Sequence, residues 1–545
     1  MTQLAGFLDV LLRGISLIGF AIAGGGLAYI HWALRPFEAL SPLKARVLRR
    51  SLWFVIGGSL VLALSRSLLL FVLHPWALAD AAGHWPVAAY LNTDYARTVL
   101  VSVLLALGLA AAAARLLTQP SKRALWTVAA AISIALLIDS AWLTHGVSRL
   151  EGRAQLMAVT VLHQTGGVVW VGGIVHLLVF WRVWKRGPEE GALAPAVLSR
   201  FSVLAIISMI MVLGPGLFIA WHYIGDWGGL TGTGYGVMVL TKATLLGAGL
   251  ILGAMNFFLV RGWARQREAV TTPLRVRAFV EAEAGLGVTL LLAAASLTSL
   301  PPSIDIVADR ATSEEVIERF VPKMPRLSSP PVSDLLAVAA PIDDTLATRQ
   351  PEEYAWSEFN HNISGLFVFA MGLFALLERT GKAPWARHWP LLFLGLAAFM
   401  FLRNDPRAWP LGPAGFWESM LLPDVLQHRI AVLVVIGLAV FEWMVRTGRL
   451  QSRWRFVFPL LCAFGGTILL THSHAMFDLK SEFLTEVTHA PLGRNLGVGT
   501  LVGAQAAARG SAPSRLDLVD GLRDDRPHAT FLSGSVAGFP MPPLP

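Results

Sequence analysis

Nine of the fourteen histidines in this sequence fall at or just beyond the ends of apolar stretches: His74, His84, His145, His222, His361, His428, His472, His474 and His489. Imidazole is the commonest side-chain metal ligand, and so many at the ends of apolar runs suggest a site handling a transition metal where it meets a membrane. The run Thr471-His472-Ser473-His474-Ala475-Met476 is the sharpest local signal. Alternate residues share a face in extended chain, and His472 and Met476 share one if a helix continues, so either geometry presents nitrogen and sulfur donors together. Imidazole plus thioether suits copper, whereas magnesium or calcium would want carboxylates.

The elements that must position these groups follow from composition. The chain has 545 residues, 55% of them hydrophobic and only 14% charged, which excludes a soluble globular domain. Roughly 20 apolar residues cross the hydrocarbon layer as a helix. Twelve such runs are read, at about 6–33, 51–73, 98–118, 124–144, 154–181, 201–221, 236–260, 278–300, 360–378, 389–402, 429–445 and 456–472. The expected fold is all-α, a polytopic transmembrane bundle in blocks of eight and four.

Lys and Arg in short loops stay on the cytoplasmic side. Alternate loops hold Arg35, Lys44, Arg46, Arg49 and Arg50; Arg115, Lys122 and Arg123; Arg182, Lys185, Arg186 and Arg200; Arg261, Arg265, Arg267, Arg275 and Arg277; Arg379, Lys382 and Arg387; and Arg446, Arg449, Arg453 and Arg455. Both chain ends are therefore expected outside, and all nine histidines on that outer side. The formal charge of +9 is mostly topology and asks for no nucleic acid. The N-terminal apolar stretch lacks a basic n-region and a small-residue cleavage site, so it reads as a retained first span. Cys462, the single cysteine, lies in an apolar run and offers neither a disulfide framework nor a CxxC site.

The expected domains are an eight-helix membrane unit over 1–300, a periplasmic linker over 301–356, a four-helix His-rich block over 357–493 and a polar tail over 494–545 without helical periodicity. Thr312 followed by Glu315 resembles a capping box and predicts a short helix in the linker.

Several polar residues fall within the spans. His163 lies about 14 Å below the outer end of the fifth at 1.5 Å per residue. Histidine inside a span is costly unless it pairs or serves a pathway, and both readings stand open. Met157 is nearly opposite His163 on a straight helix, and His176 lies deeper on another face. Arg66, Asp139 and Lys242 are at similar depth, which favours an ion pair of Asp139 with one of the cations. Gly214-Pro215-Gly216 is expected to break the sixth helix and free carbonyls.

His163-Gln164-Thr165-Gly166-Gly167, Trp170-Val171-Gly172-Gly173, Arg200-Phe201-Ser202, Tyr235-Gly236 with Lys242, and Leu297-Thr298-Ser299-Leu300-Pro301-Pro302 resemble the copper resistance protein D (CopD/PcoD) family over roughly 140–302. Asn360-His361-Asn362, Arg403-Asn404-Asp405-Pro406, Trp409-Pro410-Leu411-Gly412-Pro413, Gln427-His428-Arg429 and Thr471-His472-Ser473-His474 are similar to the C-terminal region of its longer bacterial members. Set against those longer members, which continue with another apolar helix, the abrupt turn to Arg494-Asn495 implies a change of frame near Gly493, which resequencing across that codon tests. The resemblance implies a bacterial inner-membrane protein moving copper in uptake or resistance, with a soluble periplasmic copper chaperone as partner. Its metal ligands would be His145, His163, His361, His428, His472, His474, Met476 and His489. The protein reads as a non-enzyme, with no GxxxxGK[ST] motif for ATP. The rivals are a b-type haem cytochrome, for which His163 and His176 within spans share one helix, and an assembly factor delivering copper to an oxidase.

Overall fold

The computed structural model describes residues 2–35, 42–184, 190–265, 272–338, 350–420 and 423–451, with 454, 457, 458, 461, 480, 483, 484 and 487 beyond them. Among these residues eleven helices are long and apolar enough to cross a membrane: Leu8–Leu34, Pro42–Ala82, Asp94–Thr118, Arg123–Ala141, Arg153–Val183, Leu193–Ile224, Gly234–Trp263, Arg275–Asp305, Pro351–Arg379, Pro384–Leu402 and His428–Arg446. They correspond one for one to the first eleven runs in the sequence and are called here the first to eleventh spans. The twelfth run falls almost wholly outside the described residues, as do His472, His474, Met476, His489, Cys462 and the polar tail. No strand occurs among the described residues, and the chain is an all-α, multi-pass membrane protein.

Helix ends lie where polar side chains satisfy the first N–H groups. The Thr93 hydroxyl accepts from Ala96 N at 3.2 Å to start the third span. The ninth begins well before its apolar run because Pro351 fits its first turn and the Glu353 carboxylate accepts from Gln350 N at 2.8 Å. Pro384 and Pro390 hold the tenth as a 3₁₀ turn before the α-helix of Leu392–Leu402. The expected linker helix forms over Ser313–Phe320, with Thr312 and Glu315 as a capping box.

The fifth span is the most buried of the eleven and packs against the first, second, fourth, sixth and eighth. Lipid tails are as apolar as leucine, so close backbone packing rather than water exclusion joins such helices, and small residues permit it. Gly172 shows this: a Cβ there would overlap the Ala21 carbonyl of the first span, and Gly25 faces it from the other side. Gly166 does the same toward the sixth span, where a Cβ would lie 2.9 Å from Val212 N.

Two expectations are corrected. The sixth helix is not broken at Gly214-Pro215-Gly216: it runs continuously over Glu190–Ile224 with Pro195 and Pro215 inside it. Asp139 does not form an ion pair with Arg66 or Lys242. Its carboxylate instead accepts from the Ser102 hydroxyl of the third span, and the Arg66 charge acts on it without direct contact.

Gly172→Ala should lower the thermal midpoint of the purified protein, since overpacking a tight contact costs about 1–3 kcal/mol. Gly247→Ala, where a Cβ meets nothing within 4 Å, should leave it unchanged. Equal midpoints for the two variants in a detergent melt would contradict the contact between the first and fifth spans.

Candidate metal centre

His163 projects from the fifth span against the sixth. Its Nδ1–H donates to the Val212 carbonyl at 2.9 Å. Val212 lies three residues before Pro215, whose ring crowds the preceding turn, and Gly216 leaves the space the imidazole fills: a Cβ there would lie 2.9 Å from His163 Cε1. A carbonyl only accepts, so Nδ1 carries the proton and Nε2 keeps a lone pair. Beside it, Ser140 of the fourth span donates to Gln164 Oε1 at 2.5 Å.

His145 follows the fourth span in a short turn over His145–Ser148. Its Nε2–H points at the Leu297 carbonyl of the eighth span, 3.4 Å away, and its ring lies 6.2 and 6.4 Å from those of Tyr223 and Tyr235. Met157 is close: a Cβ on the adjacent Gly146 would lie 3.5 Å from its Sδ. His222 lies 5.3 Å from Tyr223, centroid to centroid. Arg149 closes this end, its guanidinium reaching Asp305 through two bonds of 2.8 and 2.5 Å and lying over the Tyr223 ring. Burial lowers the His145 pKa below the ordinary imidazole value, and nearby Arg149 adds to it; the Leu297 hydrogen bond opposes both. His145 is thus a neutral imidazole with Nδ1 as its acceptor atom.

His176 is fully buried, donates from Nε2 to the Ile22 carbonyl at 3.0 Å, and leaves Nδ1 without a partner. Ile22 belongs to the π-helical turn Ala21–Gly25 of the first span, and wide turns of this kind recur at functional sites. His163 and His176 therefore turn to different neighbours, the sixth and the first spans, which leaves them no common ligand position on one helix.

The remaining histidines are less alike. His74 is committed: Nε2 meets Asp9 Oδ1 at 2.8 Å and Nδ1 meets the Tyr90 hydroxyl at 3.3 Å. Asp9 also takes Arg13 at 2.5 Å. His84 bonds the Ala82 carbonyl two residues back. In the second block, His361 is exposed and donates from Nδ1 to the Ser357 carbonyl at 2.8 Å, while His428 is exposed at the start of the eleventh span. Arginines staple the loop between them. Arg403 lies 3.6 Å from the Trp356 ring centroid and donates to Asn360 Oδ1 at 3.2 Å; Arg429 donates to the Phe401 and Trp409 carbonyls at 2.5 Å each. Asp405 takes Arg407 at 2.9 Å. Burial lowers the Arg403 pKa.

Among the described residues no three His, Cys, Asp or Glu side chains gather as a metal centre. The structure brings His145 and Met157 into one region and places His163 deeper on the same helix system. The other half of the expected ligand set, His472, His474, Met476 and His489, lies outside the described residues. Sequence reasoning passed over the Asp9–Arg13 pair, whose i,i+4 spacing inside an apolar run was its available signal. It also passed over Glu283, a carboxyl in the eighth span bonded to Asn256 of the seventh.

Residues 195–297, which span the sixth to eighth helices, match the family model described as copper resistance protein D. The chain is 31% identical over 176 residues to the copper transport protein CutJ of Bacillus subtilis (strain 168), covering 32% of this chain and 31% of that protein. It thus matches about a third of the length of that curated relative. No solved structure matches. The segment that supplies Val212, Gly216 and Leu297 to the two histidines is the one similar to the copper resistance protein D family.

Proposed function

We propose that the protein moves copper across the bacterial inner membrane, contributing to uptake or resistance. His472, His474, His361 and His428 capture the ion at the periplasmic side, with Met476 and His489 as further donors; His145 and His163 pass it on. Both chain ends are periplasmic in this reading, and residues 301–356 link an eight-helix unit at 1–300 to the His-rich block at 357–493. The 494–545 tail takes no part. A soluble periplasmic chaperone delivers the ion, and the bilayer is the protein's other partner.

The observation that carries this reading is the state of the imidazoles. His145 and His163 each spend one N–H on a main-chain carbonyl of a neighbouring helix, at 3.4 and 2.9 Å. Metal-ligating histidines characteristically hold the second nitrogen in this way, which fixes the tautomer and ring orientation. Each then offers one neutral nitrogen, with the Met157 thioether near the outer one. Single soft donors bind an ion weakly enough to release it to the next, so transfer proceeds by ligand exchange. The 31% identity to a copper transport protein supports the same substrate.

Copper uptake into vesicles tests the assignment. His163→Ala, and separately His472→Ala with His474→Ala, should reduce flux on the order of tenfold. Gly216→Ala, which removes no donor but pushes on the His163 ring, should reduce it as well. Unchanged flux and binding in all these variants would reject the sites.

The pH dependence has a definite sign. Copper competes with protons for imidazole, and burial holds the folded-state pKa of His145 below its unfolded value. The stabilisation by neutral His145 is therefore fully present above the ordinary imidazole value and is lost as pH falls through the lowered one. Copper affinity at this outer site should hold from pH 7 down past about 6.5, where free imidazole is half protonated, and fall only below that. A chelator-competition titration that shows the loss centred on the ordinary value, or the same curve in His145→Gln, would refute this.

A further inference from the structure

Glu283 is the most enclosed carboxyl of the first block, 6% exposed and roughly 12 Å in from Arg275 at 1.5 Å per residue. Its Oε1 accepts from Asn256 Nδ2 of the seventh span. Oε2 lies toward Gly253, one turn before Asn256, so the carboxyl lies along that helix. Asn256 is itself 9% exposed, and its Oδ1 is buried with no donor. The eighth span packs on the first, fifth and seventh, and among the described residues no charged side chain on these acts on Glu283. On its own helix, Arg277 and Glu281 pair with each other at 2.9 Å.

An ionised carboxylate here would be a buried charge supported by one amide N–H, beside an amide oxygen with nothing to accept from. Both deficits have one remedy. A carboxylic acid carries the O–H that Asn256 Oδ1 lacks, and acid with carboxamide can exchange two hydrogen bonds. Simple helix-to-helix adhesion does not explain the residue, because glutamine would make the same contact with no ionisation to suppress.

We propose that Glu283 and Asn256 form a proton-binding site, and that its proton is exchanged for the charge of the passing ion. This rests on the reading that copper crosses the first block. The site holds its proton with copper absent. When a monovalent copper ion reaches the inner third of the bundle, Glu283 releases H⁺ to water at the basic-loop side, and its carboxylate balances the incoming positive charge. One cation replaces another, no bond other than O–H breaks, and nothing is oxidised or reduced. Because the histidines are already neutral, they supply no proton to this exchange.

Infrared difference spectroscopy of the detergent-solubilised protein at neutral pH tests the proton directly. A carboxylic-acid C=O band should be present in the wild type, missing in Glu283→Gln, and shifted in Asn256→Leu, whose oxygen no longer accepts. Cu(I) added to weakly buffered wild type should release about one more proton per bound ion than Glu283→Gln does. The proposal is overturned by a band that survives Glu283→Gln unchanged, by no band in the wild type, or by equal proton release. If the wild type binds no copper, the proposed function falls, and the infrared band alone then decides whether Glu283 holds the proton.

Discussion

The donation of an imidazole N–H to a main-chain carbonyl of another helix is the interaction from which the first block is organised. In hydrocarbon, an unsatisfied polar group costs several kcal/mol, so a histidine placed there must be neutral and must spend its proton on a neighbour. His163 and His176 do so toward the sixth and first spans, and His145, in the turn just beyond the fourth span, does so toward the eighth. These bonds fix three tautomers and leave one acceptor nitrogen on each ring. The same bonds hold the fourth and fifth spans in register with three others, so packing and site chemistry come from one set of contacts.

That arrangement requires backbones to come closer than side chains normally permit. Gly166 and Gly172 let the sixth and first helices lie against the fifth, and Gly216 opens the volume the His163 ring occupies. Pro215 removes the donor that the Met211 carbonyl would use and crowds the turn before it, and the next carbonyl of that turn, Val212, takes the His163 proton. Polar pairing of another kind holds the second block, where Arg403 and Arg429 tie loops to carbonyls and aromatic faces.

The positions of the first eleven spans were legible in the sequence because bilayer thickness imposes an apolar length that composition reveals directly. Helix ends were not, since Thr93, Gln350 with Glu353, and the prolines at 384 and 390 move them by several residues through caps and missing donors. The linker helix was legible for the opposite reason: a capping box is a local contact. Pro215 was misread because a proline's effect depends on what sits opposite it, and only the fold brings His163 to Val212. The Asp139 expectation failed likewise, as depth along a helix does not say which face meets Ser102. His145 and His163 could be named as candidates, but their single free nitrogens could not be read before the acceptor carbonyls were known.

Neutral donors have a consequence for any cation that crosses such a bundle. Imidazole and thioether select a soft ion over calcium or magnesium, yet they contribute no negative charge to offset its burial. On the proposed route the ion would carry its full charge into a region that already holds Arg13, Arg66 and Lys242. Asp9 is committed to Arg13 and His74, and Asp139 to Ser102. On that route selectivity and charge balance would fall to different residues: the histidines, which would choose the ion without holding it strongly, and a buried carboxyl, which would meet its charge only by giving up a proton. That separation lets each ligand remain weak, because no single site must both recognise the ion and neutralise it.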